Sequence, residues 1–222
     1  MISAVAEAES LALMETVLDM KEKLTGVGPK DNQRKDWESR YRVGDVPWDR
    51  GRAAPAIEEA GHFFPDGAKI LVPGCGYGHD AAGLSRSGYR VEGWDISPSA
   101  IEKARKTYQR DDLTFSCRDL LNSGKEGASF DGIFEHTFLC AIGPVRWKEA
   151  IKEFARLLRP NGYLFAVLFT EMAEDDPPPW PIEPSQAKAL LGTYFKIDKI
   201  SPAKKCFPGR ENEESLWQMR LL

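Results

Sequence analysis

Short apolar runs alternate with amphipathic stretches through the middle of the chain. We predict five strands there: Ile70–Val72, Tyr89–Trp94, Leu113–Cys117, Phe130–Glu135 and Tyr163–Phe169. Helical spacing of apolar residues separates them, most clearly over Ser97–Tyr108 and Trp147–Leu158. Strands joined by helices of about ten residues predict crossover connections and a parallel sheet.

The pattern changes after the fifth strand. An acidic, proline-rich loop, Met172–Trp180, is followed by a short predicted helix, Ser185–Leu191. Two further strands are predicted over Tyr194–Ile200 and Ser215–Leu221, and no crossover helix fits between them, so they should pair antiparallel. The fold class predicted is α/β: a Rossmann-like, doubly wound, seven-stranded, mostly parallel sheet with a C-terminal antiparallel hairpin strand.

The first fifty residues precede this alternating pattern. Residues 1–24 carry an imperfect helical stripe of apolar side chains, and Gly26, Gly28 and Pro29 are predicted to end this helix. The segment Lys30–Pro55 is polar but unusually aromatic. We expect one domain over residues 1–222, with an N-terminal helix and aromatic segment (1–50) preceding a Rossmann-like core (51–222).

Composition narrows the class of protein. In 222 residues, 42% are hydrophobic and 29% charged, enough for a packed core, and the net charge of −4 argues against a nucleic-acid partner. The four cysteines are scattered without paired metal spacing, so we predict free thiols and no metal. The first twenty residues hold four acids and lack a basic region, and no apolar run approaches the roughly 18 residues of a membrane helix. We therefore expect a cytoplasmic protein without a membrane partner.

Polar or glycine-rich residues follow four of the predicted strands. Because ligands bind beyond the carboxyl ends of parallel strands, these residues predict a site. Glycine allows a sharp turn and close approach of a ligand, and an acid about 20 residues further on suits a ribose diol. The residues are Gly74, Gly76 and Gly78, then Asp95, Asp119 and His136.

The glycine spacing bears on the cofactor. A dinucleotide loop reads G-x-G-x-x-G, whereas residues 74–78 read G-x-G-x-G. The mismatch does not decide the matter by itself, so a dinucleotide-dependent oxidoreductase stays an alternative at this point.

Five longer motifs give a resemblance. They are W-E-S-R-Y (37–41), P-W-D-R-G (47–51), L-V-P-G-C-G-Y-G-H-D (71–80), W-D-I-S (94–97) and F-L-C-A-I (138–142). Together with the order of glycine loop and strand-end acids, they resemble the S-adenosylmethionine-dependent methyltransferases of the thiopurine methyltransferase superfamily. Within it, the sequence is most similar to the branch that methylates halides, thiocyanate and small thiols.

The resemblance implies S-adenosylmethionine as cofactor and S-adenosylhomocysteine as product. It implies cofactor contacts from Trp37, Tyr41, Trp48, Gly74, Gly76, Gly78, Asp80, Asp95, Ile96, Asp119, Leu120 and His136. The three aromatic residues would form a lid, since an aromatic face attracts a sulfonium cation. At Tyr41 the halide enzymes tend to carry tryptophan.

Three further residues carry open alternatives. Val72 stands where the wider fold usually has an acid that holds the methionine amine, so Asp80 is the candidate partner, unless it is an ordinary helix-start carboxylate. His136, the predicted catalytic residue, would orient an anionic nucleophile or take a proton from a thiol, unless it is only a hydrogen-bonded cap. Arg210 belongs either to a loop over the acceptor pocket or to a solvated charge run.

The function expected is methyl transfer to a small soft nucleophile (a thiol, thiocyanate, a halide or a thiopurine-like compound) by direct in-line displacement. The alternatives are an O-, N- or C-methyltransferase of a larger metabolite, the oxidoreductase, and a cofactor-binding protein without turnover. The expected partner is a small-molecule acceptor, and the expected state is a monomer or weak homodimer.

Overall fold

The computed structural model describes residues 29–124, 126–171 and 178–222. The helix predicted over residues 1–24 and the acidic part of the proline-rich loop, residues 172–177, lie outside these ranges. Among the helices in the described ranges, none is both long and apolar enough to cross a membrane.

Seven strands form one mixed sheet, as predicted. They are β1 (Lys69–Pro73), β2 (Arg90–Asp95), β3 (Leu113–Cys117), β4 (Phe130–His136), β5 (Leu158–Phe169), β6 (Phe195–Pro202) and β7 (Glu214–Leu221). Their order across the sheet is β3-β2-β1-β4-β5-β7-β6. The first five are parallel, whereas β7 runs antiparallel to both β5 and β6. The carboxyl ends of β1 to β5 therefore share one edge.

The helices connect these strands and cover both faces of the sheet. They are α1 (Pro29–Val43), α2 (Ile57–Ala60), α3 (His79–Arg86), α4 (Pro98–Thr107), α5 (Leu139–Ile142), α6 (Pro144–Leu157) and α7 (Pro184–Leu191), with a 3-10 turn at Leu120–Asn122. Side chains alternate along each strand. In β1, Ile70 and Val72 enter one core and Leu71 enters the other. The sheet is thus buried on both sides, as the doubly wound class requires.

Two elements differ from the sequence prediction. The segment before the first strand contains the helix α1, whose mostly polar side chains show no apolar periodicity in the sequence. The helix forms because the segment lacks internal glycine and proline and is rich in helix-forming residues. Strand β5 starts at Leu158 rather than Tyr163, because residues 159–162 (R-P-N-G) bulge out between two stretches paired with β4. Asn161 takes a φ of +59° there.

Candidate active site

The predicted site residues gather at the carboxyl edge of the parallel strands. A cavity of about 530 Å³ opens there, within the usual range for ligand pockets. It is lined by eight of the twelve predicted cofactor residues: Trp37, Tyr41, Trp48, Gly74, Asp95, Ile96, Asp119 and Leu120. The structure thus brings together residues from α1 and from three strand ends.

A second cavity of about 70 Å³ adjoins the first. Gly76, Asp80 and His136 line this smaller cavity, which shares Gly74 and Thr137 with the larger one. Gly78 lines neither. It begins α3 at a φ of +83°, and a Cβ there would lie 2.6 Å from the Phe115 ring, so it serves packing.

Two glycines let the loop after β1 approach other parts of the site closely. Gly74 has a φ of +59°, and a Cβ would lie 2.8 Å from the Phe138 ring. Gly76 has a φ of +51°, and a Cβ would lie 2.7 Å from the Tyr41 hydroxyl. A side chain at either position would strain the backbone and fill the site.

Asp95 lies at the end of the larger cavity next to the glycine loop. Its Oδ2 accepts a hydrogen bond from the Gly76 amide at 2.9 Å, and its Oδ1 accepts one from the Ser97 amide at 2.8 Å. Burial raises the pKa of this carboxyl to about 6, although these two bonds act against the shift. Asp119 lies after the next strand, where its Oδ1 accepts from the Leu121 amide at 2.9 Å and starts the 3-10 turn.

Glu38 attaches α1 to the core, a role that sequence reasoning missed. Its carboxylate accepts from the hydroxyls of Ser97 and Ser99, each at 2.6 Å, and from the Ser99 amide at 3.1 Å. It therefore caps the N-terminus of α4, where a negative charge is favourable. Burial raises the pKa of Glu38, but these hydrogen bonds together lower it by more, so its net pKa lies below the ordinary value. A signal was present, because Glu38 lies inside the W-E-S-R-Y motif.

The aromatic residues of the N-terminal segment form one cluster at the cavity wall. The rings of Trp37 and Trp48 lie 5.0 Å apart at 80°, and the Trp48 indole N–H donates to the Tyr41 hydroxyl at 3.2 Å. The Arg40 guanidinium lies 4.4 Å from the Trp48 ring centroid. Trp48 therefore already accepts a cation on its ring, which shows that the cluster suits positive charge.

Asp80 and His136 form a buried pair. The His136 Nδ1 and an Asp80 oxygen (Oδ2) are 2.7 Å apart, and the other Asp80 oxygen accepts from the Ala54 amide at 2.6 Å. Both oxygens thus have partners inside the chain, while a contact from Asp80 to a methionine amine stays a prediction. The second ring nitrogen of His136, Nε2, is buried and has no hydrogen-bond partner among the described residues.

The loop between β6 and β7 brings two more side chains, Phe207 and Arg210, to this edge. The Phe207 ring stacks on His136, with centroids 6.3 Å apart and planes at 27°. The Arg210 guanidinium lies 4.9 Å from the Phe169 ring and 5.4 Å from the Phe207 ring. It also forms an ion pair with the buried Glu214 at 3.0 Å. Arg210 is thus a buried wall of the larger cavity rather than part of a solvated charge run.

A short segment after β4 separates the two cavities. Thr137 lines both and has a φ of +65°, an unusual conformation for a β-branched residue. Cys140 lines the larger cavity, and burial raises the pKa of its thiol far above the usual value. Cys140 is thus a poor nucleophile.

The edge of the sheet, the glycine loop and the buried Asp95 define a Rossmann-like enzyme that binds a nucleoside cofactor. The fold is similar to that of the 1,6-didemethyltoxoflavin-N1-methyltransferase of Burkholderia thailandensis, solved with bound S-adenosylhomocysteine. That match has a TM-score of 0.69 at 19% identity and covers 88% of this chain and 91% of the other.

A family model described as thiopurine S-methyltransferase matches residues 32–220, and the chain belongs to this family of S-adenosylmethionine-dependent methyltransferases. It is 32% identical over 195 residues to thiocyanate methyltransferase 1 of Brassica oleracea, with 85% of each chain covered. It is also 32% identical over 197 residues to a probable thiol methyltransferase 2 of Arabidopsis thaliana, with 84% of each covered.

The site fits S-adenosylmethionine on its own evidence. Gly74 and Gly76 leave room for a ligand to approach the backbone after β1, Asp95 has a buried carboxylate that could accept from ribose hydroxyls, and the Trp37 and Trp48 rings could face a sulfonium cation.

Proposed function

We propose that the chain methylates a small soft nucleophile, such as a thiol, thiocyanate, a halide or a thiopurine-like compound. When bound, S-adenosylmethionine supplies a methyl group on a sulfonium. The acceptor attacks the methyl carbon in line with the departing thioether. The relatives named as thiocyanate and thiol methyltransferases support this acceptor class. They favour it over the larger metabolites and over the dinucleotide-dependent oxidation considered above.

Two buried arginines in the wall of the larger cavity are the structural observation that carries the proposal. Arg146 and Arg210 lie beyond the ends of β4 and β5, and each is paired with a glutamate, Glu149 and Glu214. Guanidinium groups held in place by these partners would donate hydrogen bonds to an anionic nucleophile in the cavity.

The chain's own residues would act mainly by positioning. We propose that Gly74 and Gly76 hold the amino-acid end of the cofactor, Asp95 and Ile96 its ribose, and Asp119 and Leu120 its base. Trp37, Tyr41 and Trp48 would cover the sulfonium and exclude water. Alignment of two reactants about 3–3.5 Å apart supplies much of the rate for a nucleophile that needs little activation.

An acceptor panel tests the proposal. The purified chain would be incubated with S-adenosylmethionine and, separately, with an alkyl thiol, an aromatic thiol, thiocyanate, iodide, a phenol and an amine, and the products read by mass spectrometry. We expect methylated product from the sulfur or halide acceptors and none from the phenol or amine. Binding of S-adenosylhomocysteine with no product from any acceptor would instead support a cofactor-binding protein without turnover.

A further inference from the structure

The pair formed by Asp80 and His136 carries an inference that rests on the proposed function and narrows its acceptor. We propose that His136 Nε2 is the base that accepts the proton of a thiol acceptor, and that Asp80 is the residue that positions it. Thiocyanate and halide ions bring no proton to remove. A built-in base therefore points to protic sulfur nucleophiles as the acceptor class of this chain.

The hydrogen bonds fix which nitrogen is available. A carboxylate only accepts hydrogen bonds, so the Asp80 oxygen 2.7 Å from His136 Nδ1 requires a proton on that nitrogen. In the neutral ring the lone pair is then on Nε2. Asp80 is itself oriented by the Ala54 amide, which donates to its other oxygen at 2.6 Å. The stacked Phe207 ring holds the imidazole plane.

The position of His136 suits proton transfer at the site. It ends β4, which pairs with β1 in the sheet, so its side chain lies beside the glycine loop at the same edge. The residue is 8% exposed and lines the smaller cavity. Its Nε2 is buried without a hydrogen-bond partner in the described ranges, a costly arrangement unless a ligand completes it.

Charged groups around His136 set its protonation. They are Asp80 from α3, Glu135 from β4, Arg210 from the β6–β7 loop and Glu214 from β7. Burial lowers the pKa of His136, but the Asp80 carboxylate raises it by more, so the net pKa lies above its ordinary value of 6.5. The free base therefore forms at a higher pH than that of an ordinary histidine, and the neutral ring is a correspondingly stronger base.

The step balances without any further reactant. The thiol gives its proton to Nε2 as its sulfur forms the new bond to the transferred methyl group. The electron pair of the breaking methyl–sulfonium bond goes to the departing sulfur, which becomes the neutral thioether of S-adenosylhomocysteine. His136 then releases the proton to water.

A titration of the ring tests the pairing without using activity. Two-dimensional NMR of ¹⁵N-labelled histidines would follow His136 in the wild type and in Asp80→Asn, with and without S-adenosylhomocysteine. We expect Asp80→Asn to lower the pKa of His136, because burial then acts without the opposing charge. Asp131→Asn is the matched control, since Asp131 also accepts from a backbone amide, that of Lys69, and from one cationic side chain, Arg159. An unchanged His136 titration in Asp80→Asn would overturn the pairing.

Steady-state kinetics then distinguish a His136 that acts as a base from a His136–Asp80 pair that is only structural. With an alkyl thiol at a pH below the thiol's own pKa, we expect kcat to fall about 100-fold in His136→Gln and about tenfold in Asp80→Asn. Above the thiol pKa, the kcat values of both variants should approach that of the wild type, because the thiol is then already ionised. For thiocyanate, kcat should change less than about threefold in either variant. Equal losses at every pH would show a structural role and overturn the inference.

Cofactor affinity distinguishes this failure from failure of the proposed function. Asp80→Asn should bind S-adenosylhomocysteine within about threefold of the wild type by calorimetry, if the Asp80 carboxylate serves His136 and the Ala54 amide rather than the cofactor. A tenfold loss would assign Asp80 to the methionine amine and overturn the inference while leaving methyl transfer intact. If the wild type bound S-adenosylhomocysteine but methylated no acceptor, the proposed function itself would fail.

Discussion

Two parts of the site are built in different ways. At the proposed nucleoside side, meaning Gly74, Gly76, Asp95 and Asp119, each residue lies at or just after the carboxyl end of β1, β2 or β3, and the contacts join neighbouring strand ends. At the proposed transfer side, meaning Asp80, His136, Phe207, Arg210 and Glu214, the side chains come from α3, the end of β4 and the β6–β7 hairpin, and the contacts of His136 join residues far apart in the sequence. We therefore expect substitutions at the nucleoside side to change ligand binding with little effect on stability. Substitutions at the transfer side should affect the stability of the fold as well.

The largest effect should come from breaking the ion pair of the transfer side. Glu214→Gln leaves the Arg210 guanidinium buried without its carboxylate, so we expect the free energy of unfolding to fall by about 3–5 kcal/mol. Urea denaturation measures this. Asp198→Asn, which removes the carboxylate of a more exposed ion pair with Arg220, should cost less than about 1 kcal/mol. Equal costs for the two variants would contradict the difference between buried and exposed pairs.

At the nucleoside side the corresponding change should weaken binding. Asp95→Ala removes a charged acceptor for ribose hydroxyls and the support of the Gly76 amide. We expect the Kd for S-adenosylhomocysteine to rise about 100-fold, since hydrogen bonds to charged groups contribute about 1.5–3 kcal/mol each. Calorimetry measures it, with Glu92→Gln on the same strand as control. An Asp95→Ala variant that bound normally would remove Asp95 from the cofactor site.

The contribution of the aromatic cluster to binding should depend on the charge of the ligand rather than on its shape. Trp37→Leu removes an aromatic face from the cavity, and a desolvated cation–π contact is worth about 0.5–2 kcal/mol. Affinity for the sulfonium of S-adenosylmethionine should therefore fall by about 2- to 30-fold relative to the wild type. S-adenosylhomocysteine, which has a neutral sulfur, is the control ligand and should be affected less. Equal losses for both ligands would indicate packing alone.

The smallest effect should be a change in backbone protection. If residues 30–50 cover the cofactor, S-adenosylhomocysteine should slow their amide hydrogen exchange, because a bound ligand stabilises the closed arrangement. Residues 195–202 of β6, at the far edge of the sheet, serve as the internal reference. Unchanged exchange over residues 30–50 would count against a covering role for this segment.

The same contrast explains what could be predicted from the sequence. The seven strands have strong apolar patterns, and Asp95 and Asp119 could be placed because a residue that directly ends a parallel strand must lie at the ligand edge. The helix α1 was not predicted because its side chains are mostly polar, so its register against α4 through Glu38 appears only in the structure.

Contacts between distant residues left no local signal. Asp80 and His136 are 56 positions apart, and a position at a helix start cannot by itself show that the Asp80 carboxylate faces this histidine. Phe207 follows a cysteine in a short loop, and nothing in that segment reveals that its ring stacks on His136. The β6–β7 hairpin was predicted, and Arg210 was a candidate for a loop over the pocket, but the place of Phe207 was not predicted.

The central claim is methyl transfer to a thiol at this edge of the sheet. Its most direct test uses S-adenosylmethionine with a deuterated methyl group, an alkyl thiol and mass spectrometry of the product, with Asp95→Ala run in parallel. We expect the wild type to form the deuteromethyl thioether and the variant to form far less. Absence of labelled thioether from a wild-type protein that binds S-adenosylhomocysteine would contradict the account.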